Sequence, residues 1–96
     1  MTKRTIVVTP GNEQQIIDTA NDLTRGGELT DFGTIAMAVF GSTRAGAIVG
    51  HVIKKNKRYI PHWFCVANQW RHPVADMEAF ELLVSLGYKI VEGCII

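Results

Sequence analysis

The chain has 96 residues, two cysteines and a formal net charge of +1, with 47% apolar and 20% charged residues. That length holds one domain with a core of its own and leaves no room for a second. The balance excludes an intrinsically disordered chain, and two cysteines are too few for a disulfide framework. With no signal peptide in view, a reducing, cytoplasmic setting is the expectation. Residues 33–53 have the length of a membrane span and contain a Gly-x-x-x-Gly. Arg44 would then sit mid-bilayer at a cost of about 2.5–3.5 kcal/mol, which argues for a soluble protein.

In chain order, Thr5–Thr9 (TIVVT) is a β-branched run that reads as a first strand, broken by Pro10-Gly11. Asn12 then reads as a helix cap, with Gln15 three residues on, and Ile16, Ile17, Ala20 and Leu23 as the apolar face. Gly26-Gly27 ends that helix, and Glu28–Phe32 leads out of it as a loop.

Three short apolar runs follow: Thr34–Phe40, Ala47–Ile53 and Tyr59–Val66. In the first, Ile35, Met37 and Val39 alternate with small residues, the period of a strand. The runs are separated by GSTRAG (Gly41–Gly46) and KKNKR (Lys54–Arg58), so they read as an antiparallel meander, with Pro61 at an edge or a bulge. The middle run also fits a helical stripe through Ala45, Ile48, Val49, Val52 and Ile53, which makes Ala45–Asn56 a third helix in the alternative topology. Gly46 and Gly50 would each cost such a helix about 1 kcal/mol, so strand is the favoured reading.

Asn68–His72 is a polar connection containing Trp70 and Arg71. Pro73 fits the first turn of a second helix, with Asp76, Glu78 and Glu81 toward its N-terminal half and Met77, Phe80, Leu83 and Val84 facing inward. Gly87 stops it, and Tyr88–Val91 reads as the last strand. The expected fold is therefore α+β: a mixed or antiparallel sheet, order β-α-β-β-β-α-β, with two helices packed on one face.

Charge is ordered along the chain. From Phe32 through Ala75 there is no Asp or Glu, yet Arg44, Lys54, Lys55, Lys57, Arg58 and Arg71 all fall there. If the acid-bearing helices share one side, a basic side of strand surface and turn tips is left. Tyr59, Trp63 and Trp70 beside those cations could stack on unpaired bases while Lys and Arg neutralise phosphates. The ordinary alternative is a solvated turn whose lysines protect a sheet edge, with Tyr59 and Trp63 in the core. The reading is a small binding protein without catalytic residue, cofactor or metal. Its binding residues are Arg44, Lys54, Lys55, Lys57, Arg58, Tyr59, Trp63, Trp70 and Arg71, and its partner is a nucleic acid or an acidic protein surface. A protein-interaction or inhibitor module of a mobile genetic element, active as a homodimer, is the alternative.

Gly41-Ser42-Thr43-Arg44 after Ala38-Val39-Phe40 resembles the phosphate loop of flavodoxin-like flavin reductases. That resemblance implies backbone N–H groups and an Arg offered to a phosphate of FMN or NADPH. In that family the loop follows the first strand of a much longer chain, and the expected role here is a turn built from small residues. His51, His62, Cys65 and His72 match no zinc spacing. Cys65 could act as a nucleophile with His51 or His62 as base, but its ordinary role is a small core hydrophobe.

Overall fold

The computed structural model describes residues 8–68, 70–73 and 77–96. Helix α1 spans Pro10–Leu23, α2 Phe32–Phe40, α3 Gly46–Lys55 and α4 Met77–Ser85. Strands are two residues each: β1 Thr30–Asp31 pairs in parallel with β2 Val66–Ala67, and β3 Ile90–Val91 pairs antiparallel with β4 Cys94–Ile95. The molecule is mostly helical with two small two-stranded sheets, which overturns the expected β-α-β-β-β-α-β sheet with helices on one face.

The first helix starts earlier than expected. Thr9 is its cap: the Thr9 hydroxyl accepts from the Asn12 N–H at 3.1 Å, and Pro10 opens the first turn. Asn12 is thus the third helical residue and closes the capping box instead of heading the helix. Ile16, Ile17 and Ala20 are buried along one face. Most of the strand expected over Thr5–Thr9 lies outside the described residues.

The strand expected over Thr34–Phe40 is helix α2. Alternation fails there, because Ile35 and Ala36 are both buried while Met37 is 51% exposed. Neighbouring residues sharing a face are a helical signature. Asp31 supplies the start, its carboxylate accepting from the Thr34 N–H at 2.6 Å, and Gly41 supplies the stop in the left-handed conformation at φ 70°. Asp31→Ala is expected to cost about 1 kcal/mol through the lost cap. A melting curve checks this, with a drop of about 4–8 °C expected at this size.

The strand expected over Ala47–Ile53 is helix α3. Ala45, Val49, Val52 and Ile53 are buried, the stripe of the alternative reading. Gly46 and Gly50 are tolerated because α2 packs onto them: a Cβ at Gly46 would lie 3.6 Å from Phe32 Cβ, and one at Gly50 3.6 Å from the Phe32 ring. The cost of glycine in an isolated helix is offset by a close helix–helix approach.

The strand expected over Tyr59–Val66 is two 3-10 turns, Lys57–Tyr59 and Trp63–Cys65, before β2. Trp63, Phe64, Cys65, Val66 and Ala67 are all buried in succession, so no face alternates. Pro73 pairs in an isolated bridge with Ala67 instead of opening a helix, and Asp76 lies outside the described residues. The strand expected over Tyr88–Val91 shrinks to β3, and Tyr88 instead donates its hydroxyl to the Gly27 carbonyl at 2.7 Å.

Candidate functional site

An open groove of about 1160 Å³ lies between α2, α3 and the turn that carries Asn68, Trp70, His72 and Pro73. On α2 its lining repeats every turn, Gly33 with Met37 and Thr34 with Ala38. On α3 the same spacing runs Gly46, Gly50, Lys54 and Ala47, His51. Small residues on both helices thus alternate with the larger Phe32, Met37, His51 and Lys54. Trp70 lines the groove from the turn and is 66% exposed, with His72 and Pro73 beside it.

The turn carrying Trp70 is built by Asn68. Its side-chain oxygen accepts from the Trp70 N–H at 2.9 Å and the His72 N–H at 3.0 Å, and its own N–H donates to the His72 carbonyl at 2.9 Å. Arg71 completes the turn with φ 64°, and its N–H donates to the Asn68 carbonyl at 2.9 Å. The C-terminal hairpin pins this arrangement from behind. The Ile95 N–H donates to the Arg71 carbonyl at 2.9 Å, the Cys94 thiol to the Trp70 carbonyl at 3.1 Å, and His72 Nδ1 to the Gly93 carbonyl at 3.1 Å.

Of the nine binding residues expected from sequence, Lys54 and Trp70 meet in this groove. Lys55 turns away, 3.8 Å from the Glu13 carboxylate, which also accepts from the Asn56 side chain at 2.9 Å. Lys57 lies 4.1 Å from the centroid of the Trp63 ring, and Arg58 4.9 Å from that of Tyr59. Trp63 is only 5% exposed and packs edge-on against Phe64, so it offers no stacking platform. Tyr59 is exposed, but its groove also holds Glu13 and Asp18, a poor setting for phosphate. Arg44 and Arg71 follow groove residues Thr43 and Trp70 in sequence without lining the groove themselves. Of the six expected cations, Lys54 alone lines this groove.

GSTRAG joins two helices: Gly41 caps α2, and Thr43–Ala45 form a 3-10 turn before α3. The strand that precedes the loop in flavin reductases is absent, so the resemblance stops at residue types. Among the described residues no group of three or more His, Cys, Asp or Glu could hold a metal ion, and no helix is long and apolar enough to cross a membrane. Cys65 is fully buried, donates to the Gly27 carbonyl at 3.5 Å, and burial pushes its thiol up to about 11. A thiol held neutral in the core is no nucleophile at physiological pH.

Sequence reading missed Met37, His51 and His72 as neighbours of Trp70. The signal was the four-residue spacing of Gly46, Gly50 and Lys54, which a strand reading hides. No known protein family, curated protein or solved structure matches this chain, so the groove's own geometry is what speaks to its role.

Proposed function

We propose that the chain is a binding module whose groove between α2 and α3 takes an apolar, acid-bearing segment of another protein. The observation that carries this reading is an exposed Trp70 held by a fixed turn against a floor of small residues. The turn fixes the backbone from which the indole projects, and aromatics facing a pocket are where binding energy concentrates. Polarity supports an acidic component: Lys54, His51 and His72 line the groove, while the one acid among its described lining residues, Asp31, already caps α2. A nucleic-acid strand needs several phosphate contacts along a track, and Lys54 alone of the six expected Lys and Arg residues lines this groove.

Affinity capture from a nuclease-treated lysate of the source cell tests it, with Trp70→Ala and Lys54→Glu run in parallel. A protein retained by the parent chain is expected to be lost with Trp70→Ala and at least about tenfold weaker with Lys54→Glu. Capture that vanishes on nuclease treatment, together with salt-dependent binding of single-stranded oligonucleotides, would replace this reading with the nucleic-acid one. Capture indifferent to both substitutions would remove the groove from the interaction.

A further inference from the structure

We infer that the groove's occupant is an amphipathic α-helix, with an acidic side chain placed opposite Lys54; this rests on the reading of the groove as a protein-binding site. An extended peptide gains affinity by pairing its N–H and C=O groups with free backbone groups of its host. Both long walls here are helices, whose backbone groups beyond the first turn are spent internally, and in the first turn of α2 the Thr34 N–H is taken by the Asp31 cap. Among the described residues of the turn, the third wall is spent as well. In the turn, the N–H groups of Asn68, Trp70, Arg71 and His72 all donate within it, and Pro73 has none. Its carbonyls at Asn68, Trp70, Arg71 and His72 all accept, two of them from β4. A strand laid into this groove would desolvate its own polar backbone without replacement partners, at a cost of about 1–3 kcal/mol for each group left unpaired. A helix brings its backbone already satisfied.

Shape agrees. The groove's volume exceeds the roughly 300–1,000 Å³ usual for small-molecule sites. From Gly46 to Lys54 the lined face of α3 runs about 12 Å, two turns of helix. With Gly46 and Gly50 covered by Phe32, the small exposed residues Ala38 on α2 and Ala47 on α3 let a third helix approach and lay an i, i+4, i+7 stripe between them. Charge gives the occupant a direction. Asp31 sits by Gly33 and Thr43 near the Gly46 end, whereas His51 and Lys54 mark the other, so the acid belongs at the Lys54 end.

The test pits two peptide libraries against the whole chain. Both hold peptides of about 12 residues, roughly three helical turns, with randomised apolar and charged positions. One is locked helical by a side-chain lactam, and the other is barred from helix by a central D-Pro-Gly. Helical binders are expected, enriched in Asp or Glu at one flank and about tenfold or more tighter than their helix-barred counterparts. Ala38→Tyr fills the groove from an exposed position and should weaken them by a similar factor while leaving the circular dichroism and melting curve of the chain intact. Lys54→Glu should switch the selected flank from acids to Lys or Arg. Helix-barred peptides that bind as tightly, and compete for the same groove, would overturn the helical occupant and leave the binding site standing. A selected flank unchanged by Lys54→Glu would overturn the charge pairing. No binder from either library that Ala38→Tyr and Trp70→Ala weaken would overturn both this inference and the protein-binding reading beneath it.

Discussion

Ile53→Ala is expected to remove about 2–5 kcal/mol of stability, a large share of the roughly 5–15 kcal/mol that a domain of this kind has in total. Ile53 is fully buried on α3, the helix that packs against both α1 and α2. Truncating it withdraws apolar surface from the shared core and leaves a void that three helices cannot all close. The loss should appear as a melting temperature lower by about 10 °C or more. Ala47→Ser, one and a half turns earlier and exposed, should stay within about 0.5 kcal/mol. A denaturant series on both variants decides the matter. If Ile53→Ala costs under about 1 kcal/mol, α3 is not the central packing element and the groove it lines has no rigid floor.

The second large effect is alkaline. The Cys65 thiol is pushed from 9.0 up to about 11 by burial, and burial also raises Tyr88, helped by the neighbouring Cys65 and Glu28. Both side chains donate to one acceptor, the Gly27 carbonyl. Above pH 9 an unfolded chain would release the thiol proton while the folded chain keeps it. The folded state then binds more protons, so stability falls as pH rises. The stability present below pH 9 should drain at about 1.4 kcal/mol per pH unit until the folded thiol itself ionises near pH 11. Urea midpoints measured under reducing conditions from pH 8 to pH 11 should show that slope, and Cys65→Ala should flatten it. An equal slope in both proteins would mean that Cys65 is not what destabilises the fold in base.

How much of this was readable in the residues differs element by element. Helix α1 was legible because Ile16, Ile17 and Ala20 repeat with the helical period and Gly26-Gly27 punctuates the end. Its start was misplaced by three residues, since Thr9 was absorbed into a β-branched run whose pull on the reader outweighed its hydroxyl. Helix α2 carried both of its terminal signals, Asp31 and Gly41. They were overridden because a short run of Ile, Met, Val and Phe interleaved with small residues imitates strand alternation. For α3 the helical stripe is present in the sequence, and the glycine penalty tips the reading to strand. That penalty applies to a helix in water, whereas Gly46 is covered by Phe32 Cβ and Gly50 by the Phe32 ring. The Tyr59–Val66 run had no period to find, because 3-10 turns bury consecutive side chains.

For the site, aromatic and charged residues stood out and the paving did not. Trp70 and Lys54 announce chemistry by type. Gly33, Ala38, Gly46 and Ala47 contribute by what they lack, which becomes visible only once two helices are placed side by side. The ordering of charge along the chain was real, but chain order is not surface order. A helix end and one 3-10 turn put Lys54 in the groove, Lys55 near Glu13, Lys57 over the Trp63 ring and Arg58 over the Tyr59 ring.

The Trp70 turn leans on a hairpin that lies more than twenty positions downstream. Whatever steadies the indole from the open side must therefore also quieten the far hairpin, although the two never share a surface with the guest. Amide exchange at Ile95 becomes a remote gauge of occupancy: deuterium uptake there should slow when the groove is filled, and Ile95→Pro, which deletes that amide, should make the wall yield before anything touches it.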